Sequence, residues 1–313
     1  MEFSLEIDPA ENTKHLVNFM SQMVKEREME GILLVFNGFI DSAVIARLAT
    51  EAVGLKNVTL LVRAEQQRRE KMHQEVIETA LAYLKLPKAN IIHLDMNEII
   101  SCLFEEDKSM RILPYLSLNY NLGYYLAKSL MKQEELEKSL SEGITKKPSS
   151  EREKYFLEII AHKKFRIRLL SAYAFLYAES QNYLVAGPVN KTEWSLGLFT
   201  KFGPWHLGDI MPLRDLYRSE ILQIAEYLGI PEKIRTFDEY DPYSGLHDRY
   251  KDLFRLSVAD VDKILVRLEG GLSPADISNE IGLNIELVEK VNHFYRVSEY
   301  QRRAPHSVKS RRA

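Results

Sequence analysis

The chain has 313 residues, of which 45% are hydrophobic and 28% charged, and its formal net charge is −3. This balance is ordinary for a globular protein of one or two domains, and it gives no global reason to expect a nucleic acid partner. Cys102 is the only cysteine in the sequence, which excludes an intramolecular disulfide and a cysteine metal cluster.

The first hundred residues alternate between helical and strand-like patterns. Short, continuous apolar runs, typical of strands buried on both faces, occupy residues 32–36, 58–62 and 90–94. Apolar residues at helical spacing cover residues 9–29, 43–53 and 69–84. This alternation predicts an α/β fold: a doubly wound parallel sheet with helices on both faces.

The middle of the chain carries a long segment without strand patterns. Residues 98–136 look helical and contain a tyrosine cluster, which suits either a buried dimer surface or a core. Residues 137–153 are polar, and we expect a mobile loop there. A long helix is predicted at 154–179, followed by a fourth strand at 183–186.

The last third of the sequence is predicted to be helical. One helix covers residues 214–228, and three more lie within 258–303, separated near Gly270 and Gly282. We therefore expect one domain over residues 1–313 with a helical C-terminal extension and a basic tail at 304–313, which is either a solvated tail or a contact for a partner. Without a secretory signal or a stretch of membrane-spanning length, we expect a cytoplasmic protein with no membrane partner.

Two loops carry the residues that suit chemistry. The first loop, Asn37-Gly38-Phe39-Ile40-Asp41-Ser42, lies between the first strand and a helix, where unpaired N–H groups form a seat for an anion. Ser42 can either bond a phosphate or cap the helix. The second loop begins at Gly187, after the fourth strand. Ligands bind beyond the carboxyl ends of parallel strands, so the two loops should meet.

The sequences of both loops resemble those of a known family. The first loop is similar to the SGGxDS pyrophosphate-binding loop of the N-type ATP pyrophosphatases, and in particular of NAD synthetases. The second resembles the NAD synthetase segment lvxGTgNksE…GyfTkyGDgg.D..P..dLyK over some thirty-five positions. The stretches 165–169 and 298–305 resemble the family's ARxRM and SEHKRxxP motifs. The resemblance spans about residues 10–308 and leaves 103–150 as a family-atypical insertion.

The resemblance implies a two-step ligase. ATP adenylates the nicotinate carboxylate of deamido-NAD with release of pyrophosphate, and ammonia then displaces AMP to form NAD. The sequence has no room for the nitrilase-like domain of glutamine-dependent members, so free ammonia or ammonia from a partner would be used. The implied cofactors are ATP and Mg²⁺, and the implied assembly is a homodimer.

The resemblance also implies roles for individual residues. Asp41 and Glu193 match the acidic magnesium positions and Lys201 matches a lysine near the ATP phosphates, which makes these three the catalytic candidates. The nucleotide-binding candidates are Asn37, Gly38, Ser42, Arg166, Arg168, Thr200 and Asp209. Ordinary structural alternatives exist: a first-turn acid for Asp41, surface charges for Glu193 and Lys201, and helix ion pairs for the two arginines.

Several positions depart from the family pattern. Asn37 replaces a serine, and its amide can still donate to a phosphate. Phe39 replaces a glycine that provides either a positive φ or a close approach of the phosphate, so we expect Phe39 and Ile40 to crowd the anion seat. Pro188 replaces a threonine and removes a hydroxyl and a backbone donor.

Two further segments differ, and they keep a second hypothesis open. The acidic GDGG turn is replaced by Gly203-Pro204-Trp205-His206, and the PxADL loop by residues 242–246, with glycine in place of the aspartate. A degenerate homologue that binds a nucleotide or a partner without catalysis is therefore the alternative to the ligase. A sulfur- or nitrogen-transfer relative acting on tRNA is disfavoured by the single cysteine and the absence of a basic face.

Overall fold

The computed structural model describes residues 3–64, 71–95, 151–204, 206–237 and 248–303. The predictions for the 103–150 insertion, its tyrosines, Cys102, Trp205, residues 242–246 and the 304–313 tail lie outside these ranges. Within them, no helix is both long enough and apolar enough to cross a membrane.

Among the described residues, four parallel strands form the sheet. They are β1 (Gly31–Phe36), β2 (Val58–Ala64), β3 (Ile91–Asp95) and β4 (Tyr183–Val185). Their order across the sheet is β3-β2-β1-β4, so the chain moves outward from β1 and then returns to its other side. Leu33 lies between Thr59 and Val185 in the register. The carboxyl ends of β1 and β4 therefore flank the point at which the strand order reverses, where open α/β sheets bind ligands.

Helices cover both faces of this sheet and form the C-terminal extension. In chain order they are α1 (Pro9–Glu26), α2 (Ile40–Val53), α3 (Lys71–Leu84), α4 (Glu151–Gln181), α5 (Lys191–Leu196), α6 (Arg218–Tyr227), α7 (Glu232–Arg235), α8 (Arg249–Phe254), α9 (Val258–Glu269), α10 (Pro274–Ile281), α11 (Ile285–Val297) and α12 (Glu299–Arg302). Short 3-10 turns, Leu55–Asn57 and Lys88–Asn90, lead into β2 and β3.

The alternation of side chains along β1 separates two apolar cores. Ile32, Leu34 and Phe36 pack against α1, α2, α3 and α6 on one face. Leu33 and Val35 pack against α4 on the other. Because successive strand residues point to opposite faces, a strand buried on both faces must be apolar throughout, as GILLVF is. The predicted doubly wound sheet is thus confirmed.

A third core belongs to the helical extension and is formed by α5, α8, α9, α10 and α11. Asp262 on α9 joins this core to the sheet domain. It accepts hydrogen bonds from the Thr192 hydroxyl (2.6 Å) and from the N–H (2.9 Å) and hydroxyl (2.7 Å) of Ser219. A single buried carboxylate therefore ties α5, α6 and α9 together.

The predicted boundaries need a few corrections. Helix α2 begins at Ile40 rather than residue 43, and α4 begins at Glu151, so the last residues of the predicted 137–153 loop are helical. Strand β4 ends at Val185, and Ala186 forms an isolated bridge with Ile210. The 258–303 region contains the additional short helix α12 after the three predicted ones.

Candidate functional site

The two loops meet at the carboxyl ends of β1 and β4, as the sequence predicts. Asp41 lies in the first turn of α2, and Asn190 is the N-cap of α5. The Nδ2 amino group of Asn190 donates to Asp41 Oδ1 at 3.1 Å, and Asn190 is fully buried. This hydrogen bond joins residues that are 149 positions apart in the sequence.

Asp41 also forms a buried ion pair with Arg218, the first residue of α6. The Arg218 guanidinium donates to Asp41 Oδ2, and the two residues are only 6% and 7% exposed. The Arg218 backbone N–H donates to the Thr192 hydroxyl oxygen at 2.9 Å, which fixes the start of α6 beside α5. Because isolated buried charges are costly, each member of this pair depends on the other.

Glu193 occupies a similar position on the other side of Asn190. The Glu193 N–H donates to Asn190 Oδ1 at 2.8 Å, which caps α5. Its carboxylate pairs with Arg249 on α8 at 2.7 Å, with side chains that are 15% and 14% exposed. Asn190 thus bonds the carboxylate of Asp41 and the backbone N–H of Glu193, and the carboxylates of both residues bond an arginine.

The first loop is held in shape by the side chain of Asn37. Asn37 Oδ1 accepts the Phe39 N–H at 3.1 Å, and only the amide oxygen can accept there, so the amide orientation is fixed. The Ser42 hydroxyl lies 2.8 Å from both Asn37 Oδ1 and the Phe39 carbonyl oxygen. Two donors at the predicted phosphate seat therefore bond within the loop itself.

Gly38 is the residue of this loop that needs to be glycine. Its φ is +78°, and an added Cβ would lie 2.7 Å from Ile77 Cγ1. Phe39 has ordinary extended angles, φ −72° and ψ 160°, so position 39 does not need the positive φ that glycine provides. The family glycine at position 39 could serve a positive φ or a close approach of the phosphate, and the angles of Phe39 leave only the close approach.

The Phe39 ring belongs to a stack of three rings. Its centroid lies 5.2 Å from that of His73 and 5.9 Å from that of Phe237. His73 Nε2 donates to the Asn37 carbonyl at 2.6 Å, which ties the stack to the loop. The expectation that Ile40 also crowds the seat is wrong, because its side chain is buried in the core beneath the sheet.

The second loop places two of its candidates in structural hydrogen bonds. Asp209 Oδ2 accepts the Val185 N–H of β4 at 2.8 Å. The Thr200 carbonyl accepts the Gly203 N–H at 2.8 Å and closes a turn. Neither bond excludes the predicted nucleotide contacts, which stay predictions.

The remaining candidates form a second group around Lys201. Lys201 Nζ donates to the Arg303 carbonyl at 3.1 Å and lies 5.1 Å from the centre of the Tyr300 ring, so it binds the end of α12. Arg168 Nε donates to the Lys201 carbonyl at 3.0 Å. Arg166 is half-buried on the same helix, α4. The SEHKRxxP-like segment therefore docks against the Lys201 turn.

His206 anchors that turn in an aromatic stack. Its ring centroid lies 4.6 Å from Phe199 and 5.4 Å from Trp194, and its Nδ1 accepts the Phe202 N–H at 3.1 Å. Burial lowers the pKa of His206 to about 4, helped by the charges of Lys201 and Arg214. His206 is thus neutral at physiological pH, with its proton on Nε2.

Comparison with known proteins identifies the family. Residues 12–112 and 126–305 match the model of the NAD synthase family. The chain belongs to the NAD synthase family. It is 28% identical over 291 residues to an NH3-dependent NAD⁺ synthetase of Coprothermobacter proteolyticus, covering 90% of this chain and 95% of that one. A Thermococcus sibiricus protein of the same name is 27% identical, with 96% and 97% covered.

Solved structures of an NAD synthetase and of an NMN synthetase share the fold. The NH3-dependent NAD synthetase of Campylobacter jejuni superposes with a TM-score of 0.66 at 19% identity, covering 97% of this chain and all of that one. The NMN synthetase of Francisella tularensis gives a TM-score of 0.64 at 20% identity with the same coverage. At such identities the likeness establishes the fold alone.

NAD synthases use ATP, typically with Mg²⁺, and Asp41 and Glu193 are the two predicted magnesium ligands. Magnesium requires oxygen ligands at about 2.0–2.1 Å in near-octahedral geometry. Asp41 and Glu193 each bond a guanidinium instead, and no group of three acidic, histidine or cysteine side chains within the described ranges could hold a metal ion. In this arrangement the two carboxylates do not fit a metal, and their metal role stays a prediction.

Sequence reasoning missed the residues that bond the two predicted acids. Arg218 directly follows Leu216 and Tyr217 of the recognised motif, so reading one residue further would have found it. Arg249 and Asp262 lie outside the recognised motifs, so the sequence offered no such indication for them. Burial raises the pKa of Asp262 to about 6, although hydrogen bonds from Thr192 and Ser219 oppose the rise.

Proposed function

We propose that this member of the NAD synthase family is an ammonia-dependent NAD synthetase, which converts deamido-NAD, ATP and ammonia into NAD, AMP and pyrophosphate. The family match over nearly the whole chain and the relatives at 27–28% identity support this reaction. The observation that carries it is the junction of the two loops at the switch point of the sheet, through the Asn190–Asp41 hydrogen bond. The comparisons give no support to the non-catalytic alternative.

In the first step the nicotinate carboxylate oxygen attacks the α-phosphorus of ATP, and the bond from that phosphorus to pyrophosphate breaks. Negative charge grows on the leaving pyrophosphate, and fixed donors and cations stabilise it. The N-terminus of α2, after Gly38, offers N–H groups that have no intrahelical partner, and its dipole favours an anion there. Arg218 adds a permanent positive charge at the same junction.

In the second step the ammonia nitrogen attacks the acyl carbon, the bond to AMP breaks and one proton leaves the nitrogen. Water competes with ammonia for the acyl-adenylate, so the site must exclude it. The stack of Phe39, His73 and Phe237 places apolar surface beside the first loop and would help to exclude water. Lys201 is proposed to act near the phosphates from the turn that α12 supports.

A product assay tests this function. Purified protein is incubated with ATP, Mg²⁺ and deamido-NAD, with and without ammonium, and NAD, AMP and pyrophosphate are quantified by chromatography. We expect equimolar NAD and AMP that depend on ammonium. An Arg267→Gln variant, altered in an ion pair outside the site, serves as the active control. The proposal fails if folded protein at high concentration forms no AMP.

A homodimer and a cytoplasmic location complete the proposal. The dimer follows from the resemblance, whose members use residues of both subunits at the dinucleotide site. Sedimentation of the full chain tests it: we expect about twice the 36.3 kDa mass of one chain. If the protein is a monomer and still forms NAD, the proposed dimer is wrong and the proposed reaction stands.

A further inference from the structure

The two acids at the loop junction are already neutralised by fixed cations. Asp41 bonds Arg218, and Glu193 bonds Arg249 at 2.7 Å. Asn190 connects the two pairs, since its Nδ2 donates to Asp41 and its Oδ1 accepts the Glu193 N–H. Two carboxylates and two guanidinium groups therefore lie in one linked, mostly buried network, in which each carboxylate is bonded to an arginine.

A divalent cation would enter this network only against a large penalty. To bind Asp41 it must displace the guanidinium of Arg218, a residue that is 6% exposed and that cannot lose its proton. The guanidinium and the arriving double positive charge would then share one buried site and repel each other. The same exclusion applies to Glu193 and Arg249, which are buried nearly as deeply.

A guanidinium can also do part of what a metal does for a phosphate. It carries five N–H donors, so one edge can hold a carboxylate while another meets a phosphate oxygen. Arg218 stands at the start of α6, against the first turn of α2 and thus beside the predicted phosphate seat. Arginine at such a place supplies a permanent charge that needs no metal concentration to be present.

We propose that Arg218 and Arg249 take the place of a protein-bound divalent cation at Asp41 and Glu193, so that this chain binds its nucleoside triphosphate without holding a metal ion on these carboxylates. The inference rests on the proposed function, because it concerns the nucleotide of that reaction. It differs from the sequence-based expectation, in which Asp41 and Glu193 are magnesium ligands.

Manganese titration tests the exclusion directly. Mn²⁺ is added to the nucleotide-free full-length protein, and free Mn²⁺ is measured by electron paramagnetic resonance. We expect no stoichiometric site in the wild type or in Arg249→Lys, which keeps the charge. Arg249→Gln removes the guanidinium from Glu193, so this variant should bind Mn²⁺ more tightly than the wild type and gain melting temperature in excess Mn²⁺. Arg267→Gln, whose arginine is 13% exposed in another glutamate pair, is the matched control.

Calorimetry with ATP completes the test and separates it from the proposed function. We expect the ATP affinity of the wild type to change by less than about threefold between Mg²⁺ and EDTA. A stoichiometric Mn²⁺ site in the wild type that disappears in Glu193→Gln would overturn the inference, as would ATP binding that vanishes in EDTA and weakens in Glu193→Gln. In either case NAD formation would still stand. Absence of ATP binding under both conditions would remove the inference and the proposed function together.

Discussion

The buried Asp41–Arg218 pair makes a strong prediction about stability. Asp41→Asn removes the charge but keeps the size of the side chain and an oxygen that can accept from Asn190 Nδ2. Arg218 is then left charged in a site where the side chains of the pair are 7% and 10% exposed. Removing one partner of a buried pair costs about 3–5 kcal/mol, so we expect the free energy of unfolding to fall by that amount.

A double-mutant cycle shows whether the cost comes from the uncompensated charge. Arg218→Met alone removes the guanidinium from Asp41 and should cost a similar amount. Combining both changes leaves no charge, so the double variant should be more stable than either single one, by about 1–4 kcal/mol. Urea unfolding followed by circular dichroism measures all four proteins.

An exposed pair provides the scale for comparison. Arg47 and Glu51 lie four residues apart on α2 with about a third of each side chain exposed, and Glu51→Gln should cost only about 0.3–0.5 kcal/mol. The reasoning is refuted if Asp41→Asn costs less than about 1 kcal/mol, or if the costs of the two single changes simply add in the double variant.

Three further predictions concern single residues. Gly38→Ala should lower the free energy of unfolding by about 2–4 kcal/mol, measured in urea, because φ is +78° and the new Cβ meets Ile77. His206 should titrate near pH 4 in an NMR experiment; its lowered pKa means that stability is complete above pH 6.5 and falls as the pH drops toward 4. For Asp262 the pKa is raised from 3.8 to about 6, so its contribution to stability should fall by about 3 kcal/mol as the pH rises across that window. Asp262→Asn should remove this contribution, so that the rise due to His206 becomes steeper.

Each of these has a clear contrary result. Unchanged stability of Gly38→Ala would mean that the loop does not hold the left-handed conformation. Titration of His206 near pH 6.5 would mean that its ring is not buried. The slopes of His206 and Asp262 have opposite signs, so an Asp262→Asn protein whose stability rises no more steeply with pH than the wild type contradicts the raised pKa.

The sequence was informative where physical constraints are local. The β1 run is apolar at every position because both faces of that strand are covered, and its prediction was correct to one residue. Strand β3 lies at one end of the strand order and is only half-buried, with His93 exposed, so its pattern was weaker and the predicted range was one residue early. Helix α2 begins earlier than predicted because Phe39 already has extended angles and acts as the N-cap.

Long-range partners could not be predicted from spacing. Arg218 lies 177 residues from Asp41, and Arg249 lies 56 residues from Glu193. Nothing local distinguishes Arg249 from a solvated arginine, and the motif position that marks Arg218 does not show its burial, because the burial of both arginines depends on how distant helices pack. The motif resemblance located both acids correctly at the junction, but only the folded structure shows which charges they meet.

The Asn37 side chain has a consequence for how fast and how tightly an anion can be captured. Its amide oxygen bonds the Phe39 N–H and lies within hydrogen-bonding distance of the Ser42 hydroxyl. The Asn37 amide oxygen therefore competes with a bound anion for these two donors. A polyphosphate can use these donors only while the Asn37 amide is rotated away from them. Its apparent affinity is therefore the intrinsic affinity multiplied by the fraction of time that the amide spends rotated away. The same two bonds hold the shape of the loop from within the chain.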